Sequence, residues 1–131
     1  MKKFLILIPF FSIFSLFSLN EVNIYFFWGN GCPHCKKEED FLQKIEKKYS
    51  NVKINSYEIS RNKENKELLK EIGSKMEMKI SSLPITIIND KYFIGFHSDN
   101  TTGKAIENVI LEGFEKQHND VVQGIISKKK V

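Results

Sequence analysis

The two cysteines of this sequence are separated by only two residues, and they are its most reactive side chains. Cys32 and Cys35 are the only cysteines among 131 residues, and Pro33 and His34 stand between them. A pair this close cannot tie distant parts of the chain together, but it can cycle between dithiol and disulfide or hold a soft metal ion. The spacing therefore favours redox chemistry, with metal binding as the alternative.

The pair lies where a predicted strand is followed by a predicted helix. Residues 22–28 are nearly continuously apolar, as in a buried strand, and residues 29–31 form a glycine-containing loop. A helical pattern then runs over residues 33–48. A thiol at a helix N-terminus faces unpaired backbone N–H groups and the positive end of the helix dipole, which stabilise its thiolate. We therefore expect Cys32 to be the nucleophile and Cys35, one turn into the helix, to face inward.

His34 adjoins the expected nucleophile. As an imidazolium or an N–H donor, it would lower the pKa of Cys32 and so favour the thiolate. Each pKa unit in that direction makes a two-electron couple more oxidising by about 30 mV. Pro33 and His34 are therefore predicted to tune the reduction potential.

The remainder of the chain contains five further predicted elements. They are a strand over residues 52–59, a helix over 62–78, two strands over 85–88 and 92–96, and a helix over 101–118. Asn89 and Asp90 separate the last two strands, and both residue types tolerate the backbone of a tight hairpin. The predicted order is β-α-β-α-β-β-α.

The N-terminus has the composition of a secretory signal. Residues 4–19 are mostly Phe, Leu and Ile without a charge, and they follow Lys2 and Lys3. We expect residues 1–20 to be a signal segment that is cleaved, leaving residues 21–131 as one domain with a short basic tail. The domain would then be periplasmic or secreted, or tethered to a membrane if the segment is retained. Without the leader the net charge of +4 moves closer to zero, so no nucleic acid partner is expected.

Three stretches resemble the thioredoxin superfamily: residues 27–37, 80–86 and 94–96. The resemblance implies an α/β, thioredoxin-like fold with a central mixed four-stranded sheet flanked by helices. Pro84 matches the family's cis-proline opposite the redox motif, and Leu83 matches the residue whose backbone pairs with bound substrate. With Trp28, these residues are expected to form the substrate groove.

The resemblance also implies an activity, which is thiol-disulfide exchange with protein substrates through Cys32 and Cys35. The Pro33-His34 dipeptide is similar to that of periplasmic Dsb-type oxidases, whereas the size and the short hairpin are more similar to glutaredoxin. We expect a monomer that needs no dissociable cofactor and works with a redox partner protein, a membrane-bound one being one option. The alternative is a copper or zinc carrier using the same two thiols, since a structural zinc site would need four ligands.

The sequence departs from the family at two positions. Thioredoxins and Dsb oxidases have an acid six residues before the nucleophile, where this chain has Phe26. Proton transfer at Cys35 would then need water, Lys36 or another group. The glutathione motif of glutaredoxins is represented only by Gly95, which argues against glutathione as the partner.

Overall fold

A mixed four-stranded sheet forms the centre of the computed structural model, which describes residues 19–131. The strands are β1 (Val22–Trp28), β2 (Val52–Glu58), β3 (Ile85–Ile88) and β4 (Lys91–Ile94), and their order across the sheet is β2-β1-β3-β4. β1 pairs in parallel with β2 and antiparallel with β3, and β4 pairs antiparallel with β3. The mixed four-stranded sheet expected from the sequence is thus confirmed.

Four helices cover the two faces of the sheet. They are α1 (Pro33–Lys48), α2 (Lys63–Lys75), α3 (Lys104–Glu115) and α4 (Val121–Lys129), and a π-helical turn over Asp99–Gly103 precedes α3. Buried side chains of α1 and α3 pack on one face, and those of α2 and α4 pack on the other. The central strand β1 is therefore buried on both sides, with Ile24 and Phe26 towards α1 and Tyr25 and Phe27 towards α2.

The hairpin and the first half of the chain agree closely with the sequence patterns. β1 and α1 have the predicted bounds, and Asn89 in the β3–β4 turn has a φ of 56°, in the left-handed region that asparagine tolerates. The predicted helix over residues 62–78 ends earlier, at Lys75. The predicted helix over residues 101–118 is shorter too, because its start is the π-helical turn and its end is Glu115.

Helix α4 is an element that the predicted order β-α-β-α-β-β-α lacks. Val122 and Ile125 are buried against the sheet, and Asp120 caps the helix by accepting a hydrogen bond from the backbone N–H of Gln123 at 2.9 Å. An aspartate before apolar residues at helical spacing is a recognisable helix start. The lysines at residues 128–130 form the exposed end of this helix.

The predicted signal segment lies almost wholly in residues 1–18, outside the described residues. Where the description begins, the Asn51 side-chain amide donates to the carbonyl of Leu19 at 3.3 Å, and the backbone N–H of Asn20 donates to that of Phe114 at 3.4 Å. In the part of the chain from residue 19 onward, no helix has the length and apolarity that crossing a membrane requires.

Candidate redox site

Cys32 is the N-cap residue of α1, and it forms a disulfide with Cys35. The backbone N–H of Cys35 donates to Cys32 Sγ at 3.2 Å, and Pro33 occupies the first helical position. The first turn of α1 contains no acidic side chain to compete for the positive end of the helix dipole. Upon reduction, a thiolate at Cys32 would be stabilised by that dipole and by the N–H group, as expected from the sequence.

The two sulfurs have unequal access to solvent. Cys35 is 3% exposed, whereas Cys32 is half-buried at the edge of the core. Gly31, with a φ of 75°, supports the turn that brings the chain from β1 into the helix. Cys32 is therefore the sulfur that an incoming thiol or disulfide can reach, and Cys35 is the inner one.

Trp28 borders one opening beside the disulfide. It lines a cavity of about 340 Å³ together with Cys32 and Lys36. The indole Nε1–H donates to Ser56 Oγ on β2 at 2.9 Å, which fixes the ring at the end of β1. Trp28 therefore limits access to the disulfide from this side.

Leu83 and His34 line a second opening, of about 410 Å³. The Leu83–Pro84 peptide bond is cis, as the resemblance implies, and Pro84 itself is buried. Leu83 packs close to Gly29, where an added Cβ would lie 3.0 Å from Leu83 Cδ1. The three expected groove residues therefore do not line a single opening. Trp28 borders the first opening, Leu83 lines the second, and Pro84 is buried.

The ring of His34 is held by the loop after β4. Its Nδ1 lies 3.0 Å from the carbonyl oxygen of Phe96. Because a carbonyl can only accept, Nδ1 carries the hydrogen, and Nε2 remains for the second opening. His34, in the first turn of the redox helix, therefore borders the groove that Leu83 lines.

A buried carboxyl group that the sequence analysis did not identify lies on α1. Glu38, three residues after Cys35, is fully buried, and its Oε1 accepts a hydrogen bond from the hydroxyl of Thr86. Its Oε2 has no hydrogen-bond partner among the described residues. Burial raises the pKa of Glu38 to about 7, although the bond from Thr86 acts in the opposite direction.

Glu38 lies next to the position where the family has its strand acid. Thr86 is the register partner of Phe26 across β1 and β3, so the carboxyl group reaches the neighbourhood of Phe26 from the helix. Lys36, the other residue considered for proton transfer, is exposed and forms ion pairs with Glu39 at 3.2 Å and Asp40 at 3.0 Å. Glu38 could have been found from the sequence, because position 38 falls on the apolar stripe of α1.

No group of three or more metal-binding side chains occurs within residues 19–131. A tetrahedral structural zinc site uses four ligands. The reduced pair would offer two thiolates, which is the ligand set assumed for the carrier alternative.

Neither a protein-family model nor a curated protein sequence matches the chain. Solved structures do match this chain in fold. A Chlorobium tepidum protein assigned as the thiol:disulfide interchange protein DsbE is 12% identical, with 74% of this chain and 82% of that one covered and a TM-score of 0.53. Glutaredoxin 1 from Francisella tularensis is 19% identical, with 66% and 98% covered and a TM-score of 0.48. Thioredoxin from Trypanosoma brucei brucei is 23% identical, with 73% and 80% covered and a TM-score of 0.48.

The likeness to the Chlorobium protein agrees with the features observed directly in this chain. The sheet order β2-β1-β3-β4, the disulfide at the start of α1 and the cis-proline before β3 occur together. This chain has the fold of the thioredoxin superfamily, with a Cys-x-x-Cys disulfide at the N-terminus of its first helix.

Proposed function

We propose that this chain is an extracytoplasmic thiol-disulfide oxidoreductase that exchanges disulfides with protein substrates. The observation that carries the proposal is the placement of Cys32, which is accessible, caps α1 and accepts a hydrogen bond from the backbone N–H of Cys35. That environment stabilises the thiolate, which is the reactive species in exchange. The reaction uses the two sulfurs alone and needs no dissociable cofactor.

In the reducing direction, the Cys32 thiolate attacks one sulfur of a substrate disulfide. The S–S bond of the substrate breaks, its other sulfur leaves as a thiolate, and Cys32 is joined to the substrate in a mixed disulfide. Cys35 then attacks Cys32 Sγ, forms the intramolecular disulfide and releases the second substrate thiolate. In the oxidising direction, a substrate thiolate attacks Cys32 and the same steps run backwards.

Glu38 moves the proton of Cys35 in this scheme. The thiol of Cys35 must lose its proton before it can attack, because the thiolate is the nucleophile. Water has little access to this proton, because Cys35 is buried. Glu38 lies three residues further along the same buried helix face, and a group with a pKa of about 7 can take up and return a proton near neutral pH. The carboxyl group on the helix thereby performs the task of the strand acid that Phe26 replaces.

Pro33 and His34 set the reduction potential, and the surrounding residues receive the substrate. The imidazole beside Cys32 favours the thiolate, which makes the disulfide a better oxidant. An extended substrate segment would lie in the opening that His34 and Leu83 line, above the buried Pro84. Trp28 borders the other opening, beside Cys32.

The location and the partners extend the same proposal. The apolar leader of residues 4–19 supports export from the cytoplasm. The enzyme acts there as a monomer, and a redox partner protein restores its oxidised or reduced form.

The test uses reduced protein, a disulfide-containing protein substrate and two matched variants. Cys32→Ser is expected to abolish exchange, while Cys35→Ser is expected to trap substrates as mixed disulfides that non-reducing gels resolve. Full reductase activity in Cys32→Ser would overturn the proposal. Stoichiometric, tight binding of Cu(I) or Zn(II) without exchange would replace it with the carrier function. A reduction potential above that of the glutathione couple would identify a disulfide donor, and one well below it a reductase.

A further inference from the structure

Thr86 is a polar residue in an otherwise apolar strand. β3 has the sequence Ile-Thr-Ile-Ile, and all four side chains are buried. Valine would fill nearly the same volume without a hydroxyl group that needs a partner in the core. The hydroxyl of Thr86 finds that partner in Oε1 of Glu38, 48 residues away in sequence.

This hydrogen bond makes the two oxygens of Glu38 different. A threonine hydroxyl has one hydrogen to donate, and Thr86 donates it to Oε1. Oε2 has no partner among the described residues. When the carboxyl group is neutral, its proton therefore sits on Oε2, because Oε1 is occupied as an acceptor.

Among the described residues, the core around Glu38 contains no other buried carboxyl group. Thr86 is buried together with Glu38. The other elements of this core contribute apolar side chains, namely Phe26 from β1, Ile88 from β3, Phe96 from the loop after β4, and Ile106 and Ile110 from α3. The other titratable groups packed in this core are the redox thiols, of which Cys35 is the buried one, and the phenol of Tyr49, whose hydroxyl donates to Glu107 on α3.

We propose that Thr86 is a positioning residue for proton transfer: its hydroxyl holds Oε1 of Glu38 so that Oε2 exchanges the proton with Cys35. The proton passes from Cys35 Sγ to Oε2 as Cys35 attacks Cys32, and the substrate sulfur leaves as a thiolate. In the opposite direction Oε2 returns the proton to Cys35 Sγ. No bond changes at Thr86. This inference rests on the proposed function.

The hydroxyl also favours the ionised form of Glu38. A hydrogen bond to a carboxylate favours the charged form, and burial opposes it. Without the hydroxyl, a charged Glu38 would be buried with no partner, so a smaller fraction of the protein would be ionised at pH 7 and able to accept the proton.

The experiment follows the lifetime of the mixed disulfide formed when the reduced protein reacts with oxidised glutathione, by acid quench and mass spectrometry. Thr86→Val removes the hydroxyl at nearly constant volume, and Thr86→Ser keeps it. At pH 7, we expect Thr86→Val to lengthen the lifetime about tenfold, the loss of one hydrogen bond to a charged group. The rate at which Cys32 first reacts should not change, and Thr86→Ser should restore the wild-type lifetime.

Two readouts separate positioning from a merely structural role. The pH at which the resolving step accelerates should shift upwards in Thr86→Val. In a Glu38→Gln background, Thr86→Val should not lengthen the lifetime of the mixed disulfide any further. If Thr86→Val does not fold, Thr86→Ala supplies a second variant without the hydroxyl. An unshifted pH profile, or an equal additional loss in the Glu38→Gln background, would overturn the inference. If wild-type protein forms no mixed disulfide and reduces no substrate, the proposed function itself fails.

Discussion

Each face of the sheet has a hydrogen bond between a buried strand residue and a carboxyl group, and the two carboxyl groups differ in how completely they are satisfied. On the α1–α3 face, Glu38 has one oxygen bonded to Thr86 and the other without a partner. On the α2–α4 face, the hydroxyl of Tyr25 donates to Asp120 Oδ2 at 2.8 Å. The remaining oxygen of Asp120 accepts a hydrogen bond from the backbone N–H of Gln123 in the first turn of α4, so both oxygens are used.

The difference separates a contact that holds structure from one that can move a proton. Burial and the neighbouring Asp120 raise the pKa of Tyr25 above its ordinary value, so its hydroxyl stays protonated and keeps α4 in place. Glu38 instead has a pKa of about 7, a free oxygen and a thiol on the same helix face. Only the contact between Glu38 and Thr86 lies on the redox side of the sheet.

The largest expected effect is on catalysis, from Glu38→Gln. The amide fills the same space but cannot accept the proton of Cys35, so resolution of the mixed disulfide should slow by at least about 100-fold at pH 7. Stopped-flow kinetics on reduced protein with a peptide disulfide measures this step. Glu46→Gln, on the exposed face of α1, is the matched control. A wild-type rate in Glu38→Gln would remove the distinction between the two faces.

Stability should depend on pH through the same residue. The folded state raises the pKa of Glu38 from 4.5 to about 7, so between these values the folded protein holds a proton that the unfolded chain has lost. The free energy of unfolding therefore falls as pH rises through this range, by about 3 kcal/mol. Urea denaturation of the oxidised protein at pH 4.5 and pH 7.5 tests this.

The comparison variant for that experiment is again Glu38→Gln. Because glutamine does not titrate, the free energy of unfolding of the variant should not show this decline between the two pH values. The contributions of the other groups should remain. A wild-type curve parallel to that of the variant would show that Glu38 titrates normally, and the proton-transfer role would lose its basis.

How far the sequence predicted this molecule depends on how local the signals are. β1 and α1 have the expected bounds because an apolar run, a glycine loop and a proline mark them within a few residues. The position of Cys32 at the helix start was predictable for the same reason. The partners of the polar contacts were not predictable, because Glu38 meets a residue 48 positions away and Tyr25 meets one 95 positions away. The helical spacing of α1 places Glu38 on the buried face, but no local pattern reveals which strand residue it will meet there.

Loss of the Tyr25 hydroxyl should affect stability and leave exchange unchanged. Tyr25→Phe leaves Asp120 without its closest side-chain donor, and a hydrogen bond to a charged group contributes about 2 kcal/mol. Chemical denaturation at pH 7 measures the loss, and the exchange assay should give the wild-type rate. Tyr92→Phe, whose hydroxyl is on an exposed β4 side chain, is the control. A slower resolving step in Tyr25→Phe would mean that the α2–α4 face also takes part in the chemistry.

The smallest expected effect comes from a cap without any further contact. Asn62 caps α2 on the same face as Tyr25, and its side chain accepts a hydrogen bond from the backbone N–H of Asn65 at 3.0 Å. Asn62→Ala should lower the free energy of unfolding by about 1 kcal/mol, and Asn62→Ser, which retains a capping oxygen, by less. Exchange should be unaffected in both. If Asn62→Ala costs as much as Tyr25→Phe, the Tyr25–Asp120 contact stabilises the fold no more than an ordinary cap does, and the special anchoring of α4 is refuted.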